Sequence, residues 1–299
     1  MRDSRPPDTH ENETSTTHVE PVPGQPAALA DLGTERALLI ADYHAGYEAG
    51  LRYERGVDVP SHAPERRKRL YSLIEHTNPD RLVVLGDLMH SIGDPGGAER
   101  AELEVLFESE PLRSLDVTIV KGNHDGAIET WLEPADGAVP SAGPPAGSVT
   151  IVSGDGIALG PDGSEGTSTN TGTVGVCHGH TWPSRAVLGS SVVCLGHEHP
   201  CVRLEDEVGG SRVERVWLRG RLDPDPFCDH FGATLPWLAD NGTAEPPQII
   251  VLPAFNELVG GTWVNLPEQS FLSPFLPDGL ADGEAYLLDG TRLGSYESV

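Results

Sequence analysis

The 299-residue chain carries 46 acidic residues against 20 basic ones, a net charge of −26, and only two of the basic residues are lysines, Lys68 and Lys121. That length holds one large domain or two small ones around a sizeable core. The acidity argues against an extensive nucleic-acid-binding surface, since no basic stripe exists beyond "RRKRL" (66–70), which reads as the solvated face of a helix.

The N-terminal stretch "MRDSRPPDTHENETSTTHVEPVPGQP" lacks the apolar core of a secretory signal, and a disordered polar tail is expected over residues 1–30. No run approaches the ~20 apolar residues of a membrane span. The four cysteines, Cys177, Cys194, Cys201 and Cys228, form no CxxC pair and read as buried thiols in a reducing compartment. A cytoplasmic location with no membrane partner is the expectation. Oligomeric state is not legible.

A single domain over residues 31–299 is predicted. Its first strand is "RALLIA" (36–41), followed by helix-like spacing in "YEAGLRYERG" and in "PERRKRLYSLIEHTNP", with Pro64 near the start of the second. "RLVVLG" (81–86) is the next strand, "GGAERAELEVLFESEPLRSL" a helix, and "DVTIVKG" (116–122) a third strand. Alternation of this kind marks an α/β sheet. Beyond residue 147 the strands "TVGVC" (173–177), "SVVCLG" (191–196), "RVWLRG" (215–220) and "QIIVLP" (248–253) arrive without long helices between them. Loop insertions are expected near 134–148, 160–172 and 222–247, and a terminal hairpin around Asp289-Gly290.

Five of these strands end in metal-type ligands. "LLIADYHAG" supplies Asp42 and His44, and "VVLGDLMHS" supplies Asp87. "VKGNHDG" supplies Asn123, His124 and Asp125, "VCHGHTWP" His178 and His180, and "CLGHEHPC" His197 and His199. In α/β sheets ligands bind beyond the carboxyl ends of strands, where side chains from several strands converge. A lone Asp at a strand end is ordinarily a cap or turn residue, and a lone His ordinarily hydrogen-bonded. Five such events in order are poorly explained by capping.

D-x-H, G-D, G-N-H-D, H-G-H and G-H-x-H in this order resemble the calcineurin-like metallophosphoesterase superfamily. "LPAFNELVGG" (252–261) is similar to a segment of the archaeal SbcD-related and bacterial ligase-associated PdeM-type phosphoesterases. The acidic, lysine-poor composition resembles that of haloarchaeal proteins, with an ordinary acidic protein as the alternative. The resemblance implies a four-layer α/β/β/α sandwich with two metal ions. It assigns Asp42, His44 and His199 to one ion, Asn123, His178 and His197 to the other, and Asp87 to both. It makes His124 the histidine that assists the transition state or leaving group, with Asp125 orienting it. His90, in "GDLMH", stands where other branches carry G-D-x-x-D and takes no role by analogy. His180 is read as structural, or as a neighbour of a ligand.

Four imidazoles among seven ligands favour Mn, with Fe, Ni or Zn as alternatives, over the all-oxygen preference of Mg and Ca. The implied activity is hydrolysis of a phosphoester, a nucleotide or nucleic-acid-type diester first among them, by in-line attack of a hydroxide bridging two ions. A phosphomonoesterase and a catalytically silent metal-binding scaffold are the alternatives. A silent relative should lack a ligand or the His of G-N-H-D, and this chain lacks neither. SbcD-type nucleases carry a further DNA-capping domain, whereas the hundred residues after His199 contain no basic cluster. A small phosphoester or a short nucleic acid therefore fits at least as well as duplex DNA.

Overall fold

The computed structural model describes residues 19–93, 95–132, 147–160, 173–206, 208–232, 237, 245–267 and 269–299. The first half of the chain runs β1 (Val19–Pro21), β2 (Ala28–Asp31), β3 (Arg36–Ile40), α1 (Tyr47–Arg55), α2 (Ala63–Thr77), β4 (Arg81–Leu85), α3 (Gly97–Glu108), β5 (Asp116–Val120), α4 (Ile128–Leu132) and β6 (Val149–Val152). These six strands form one sheet in chain order, antiparallel through β1, β2 and β3 and parallel from β3 to β6. The second half adds β7 (Ile157–Leu159), β8 (Val174–Cys177), α5 (Arg185–Leu188), β9 (Val192–Leu195), β10 (Cys201–Glu205), β11 (Ser211–Leu222), α6 (Pro224–Phe231), β12 (Gln248–Val251), β13 (Leu280–Leu287) and β14 (Arg292–Ser295). Here the order is β14-β13-β11-β12-β9-β8-β7, with β10 paired to β11, and β8, β9 and β12 run parallel.

Alternation along the strands sorts side chains into three apolar layers. Leu38, Ile40, Leu82, Val84, Val117 and Ile119 pack against Leu70, Leu73 and Ile74 of α2 and Leu103 and Leu106 of α3. The intervening residues Ala37, Leu39, Val83, Leu85 and Val120 face Val174, Val176, Cys194, Trp217 and Ile250 of the second sheet. That sheet's far face, with Val193, Leu195, Leu218, Ile249 and Val251, is covered by Val187, Leu188, Phe227 and Phe275. The result is the expected α/β/β/α sandwich. Strands covered on both faces are apolar throughout, which is why "RLVVL" and "VVCL" show no polar alternation.

The structure departs from the sequence reading in three places. Of the tail expected over 1–30, residues 1–18 lie outside the described residues, and 19–30 carry β1 and most of β2, because Val19, Ala28 and Ala30 bury completely against the inter-sheet core. The insertion expected at 222–247 contains α6, with Pro224 in its first turn and Asp223 capping it through the Asp225 amide. Within "RRKRL" Lys68 is exposed, but Arg66 turns inward and pairs with the buried carboxylates of Glu48 and Glu102. Of the expected loops, 134–146, 161–172, 233–236 and 238–244 lie outside the described residues. Cys177, Cys194 and Cys201 are buried, Cys228 is half-buried, and all four are free. Among the described residues no helix is long and apolar enough to cross a membrane.

Candidate metal centre

The carboxyl ends of β3, β4 and β5 from one sheet and of β8 and β9 from the other meet along one edge of the sandwich. Their connecting turns are tied together through the backbone. The Asp42 amide donates to the Gly86 carbonyl (3.1 Å), the His44 amide to the Asp87 carbonyl (2.9 Å) and the Gly196 amide to the His178 carbonyl (3.0 Å). Two glycines allow the turns to approach this closely. A Cβ at Gly122 would lie 2.0 Å from Asp87 Oδ1, and one at Gly86 would lie 2.1 Å from His178 Nδ1.

Beside an all-imidazole group of His44, His90 and His124, two groups of ligand atoms combine carboxylate with imidazole, Asp42, His44 and His199 in one and Asp87, His178 and His197 in the other, each group with its atoms within 4.8 Å of one another. Asp87 Oδ2 lies between them, 3.7 Å from His44 Nε2 and 3.5 Å from His178 Nε2. Asn123 Oδ1 stands 3.2 Å from His178 Nε2, beside the second group. Buried Nε2 atoms of His44 and His199 have no hydrogen-bond partner. Buried polar atoms are normally satisfied, so nitrogens turned toward carboxylates without one fit a cation between them.

His124 sits at the rim. Its amide donates to Asp87 Oδ1 (2.9 Å), its Nδ1 is bonded to the His90 carbonyl, and its Nε2 lies 4.0 Å from Asp87 Oδ2. The His90 ring stacks on it at 5.6 Å. Asp125, expected to orient His124, directs its buried carboxylate elsewhere. It accepts from the amides of Leu88 (3.3 Å), Met89 (2.9 Å) and Gly122 (2.9 Å), and so locks the Asp87 turn to the Asn123 turn. The His180 ring is 5.2 Å from His178 and joins none of these ligand groups. It lines a cavity of about 460 Å³ with Lys121, Glu129, Ser153 and Gly154.

Supporting residues went unrecognised in the sequence. Glu198, between the two histidines of H-E-H, is fully buried and accepts from the Leu272 and Ser273 amides (2.9 and 2.6 Å) and the Thr262 hydroxyl (2.8 Å). Its alternation away from His197 and His199 was the available signal. The "LPAFNELVGG" segment backs the first ligand group. The Asn256 amide donates to the Asp42 carbonyl (3.2 Å), and the Gly260 carbonyl pairs with His199 Nδ1 at 2.7 Å. That last contact leaves Nε2 as the nitrogen facing Asp42.

The calcineurin-like phosphoesterase family model matches residues 35–264, from the first sheet to the segment behind His199. The chain belongs to this family. It is accordingly a metal-dependent phosphoric ester hydrolase, of a family that typically binds two divalent metals. Among solved structures this phosphoesterase is similar to the Pseudomonas putida nuclease MPE, at 18% identity and a TM-score of 0.46 over 92% of this chain and 100% of that one. It is also similar to YfcE, a phosphoesterase from E. coli, at 17% identity and a TM-score of 0.33 over 57% and 73% of the two chains. A sequence search of curated proteins finds no significant match.

The electrostatics of this phosphoesterase suit cation binding. Burial holds the imidazoles of His44 and His197 down at about 3 and about 4, so both are neutral at pH 7. Burial would raise Asp42, but the neighbouring His199 and His178 outweigh it and keep the carboxylate below its usual range. Asp87 is likewise held low, its burial outweighed by His178, His44 and His124. For His178, burial is overcome by the Asp87 hydrogen bond and by the charges of Asp87 and Asp42, which raise it to about 9. A cation ligated there must displace that proton. Asp125 is pushed up to about 6 by burial, against the amides of Met89 and Gly122.

Proposed function

We propose that the enzyme is a two-ion phosphodiesterase whose substrate is a nucleotide or short nucleic-acid-type diester, with Mn²⁺ as the preferred ion. The observation that carries the two-ion reading is Asp87 Oδ2, within 3.7 Å of His44 Nε2 and 3.5 Å of His178 Nε2, one from each ligand group. Asp42, His44 and His199 would hold one ion, and Asn123, His178 and His197 the other, with Asp87 shared. Bound there, two divalent ions supply a water of lowered pKa and neutralise the phosphoryl oxygens for in-line displacement.

The chain's own residues supply the rest. His124, its Nδ1 engaged by the His90 carbonyl, presents Nε2 toward the space above Asp87 and would donate a proton to the departing oxygen. The cavity lined by Gly122 and His180, at about 460 Å³, has room for a substituent on the phosphate, which favours a diester. A net charge of −26 with two lysines disfavours prolonged contact with duplex DNA, whose affinity depends on phosphate neutralisation. Assay of the Mn²⁺-loaded enzyme on bis(p-nitrophenyl) phosphate, p-nitrophenyl phosphate and short single-stranded DNA tests this. Turnover of the diester should exceed that of the monoester at least ~10-fold, about 1.4 kcal/mol of transition-state preference. Preference for the monoester would overturn the diester assignment and leave a phosphomonoesterase.

A further inference from the structure

Helix α3 opens directly after the turn that carries Asp87 and His90, and its third residue, Glu99, is buried at 3% exposure. Its Oε1 accepts from the His90 amide at 2.7 Å and from the Ser91 amide at 3.1 Å. The stem of Glu99 packs against Gly46, where a Cβ would come within 2.5 Å of Glu99 Cβ. A carboxylate in the first turn of a helix is also favoured by the helix dipole. Glu99 is thus fixed from below by the helix and from the side by the loop that follows His44.

Holding the amides of residues 90 and 91 orients the peptides on either side of His90, and the His90 carbonyl is the group that meets His124 Nδ1. A carbonyl oxygen only accepts, so Nδ1 is the donor in this contact, and Nε2 is the nitrogen left facing the space above Asp87. The His90 ring, stacked 5.6 Å from His124 at 15°, keeps the imidazole from rotating away.

We infer that Glu99 is a positioning residue for His124, acting through the peptide of His90. Glu99 belongs to none of the three candidate metal-ligand groups, although His90 and His124 share one with His44. Its effect rests on the role proposed for His124 above.

Aryl methyl phosphodiesters of rising leaving-group pKa provide the test, with metal content measured on every variant. Glu99→Ala should slow turnover of the phenyl ester by ~10-fold or more, the scale of lost outer-shell partners. It should leave the p-nitrophenyl ester within about threefold and metal content unchanged, because a good leaving group needs little protonation. Glu99→Gln retains an acceptor oxygen and should recover most of the loss. In a His124→Ala background Glu99→Ala should cost nothing further, as for two groups acting as one unit. Equal losses on both esters, loss of metal, or losses that add to those of His124→Ala would each overturn the inference. If Glu99→Ala does not fold, Glu99→Asp, which withdraws the carboxylate by one methylene, reads the same contrast. If His124→Ala itself shows no dependence on the leaving group, the role of His124 fails first, in a measurement that does not involve Glu99.

Discussion

Asp42, His44, Asp87, His197 and His199 all hold φ between 45° and 67°, a region that side chains other than glycine seldom occupy. Each such residue costs on the order of 1–3 kcal/mol, maintained only because the surroundings over-determine it. Here the surroundings are the cross-turn backbone bonds, Glu198 and the Asn256–Gly260 segment. The conformation turns carboxylates and imidazoles from neighbouring strands toward one another. A specific consequence follows for His199 at φ 45°. In chelator-treated protein, His199→Gly should be more stable than His199→Ala by ~1 kcal/mol, because alanine retains the left-handed penalty and glycine does not. Urea denaturation of the two variants checks this. Equal stability, or a more stable alanine variant, would show that the turn relaxes once the imidazole is removed.

At the scale of elements, the ligand-bearing strands were legible because each is a short apolar run ending in glycine, histidine or a carboxylate. β3, β4, β5, β8, β9 and β12 fall within the runs read from the sequence. β1 and β2 were not legible. "VEP" and "ALAD" are too short for a period, and their burial depends on a second sheet far along the chain. The inward turn of Arg66 was hidden for a similar reason, since Glu48 and Glu102, its partners, come from two other helices. The candidate ligand residues could be named from strand ends, whereas Glu99, Glu198 and Asn256 accept from or donate to backbone, which leaves no motif of spacing. Removing residues 1–31 should cost more than ~3 kcal/mol, since buried Val and Ala side chains and the pairing to β3 go together. The denaturation midpoint reads that loss, and an unchanged midpoint would mean that β1 and β2 add nothing to the sheet.

For the whole molecule, the charge of −26 and the stacking of two sheets bear on the same edge. An acidic surface repels a phosphate, so productive approach requires a locally positive centre. Asp42 and Asp87 contribute two negative charges, less than the four positive charges of the two divalent ions proposed to bind there. The two ligand groups come from both sheets, His44 from the first and His199, His178 and His197 from the second, so the layered fold and the proposed centre stand together. Salt at molar concentration shortens the Debye length to about 3 Å and would screen the self-repulsion of such a surface. The most direct test of the central claim is metal content measured alongside turnover during chelation and Mn²⁺ titration of the intact enzyme. Activity should disappear with the metal and return as two ions per chain rebind, with protons released as His178 is ligated. Full turnover by protein shown to be free of metal would contradict that claim.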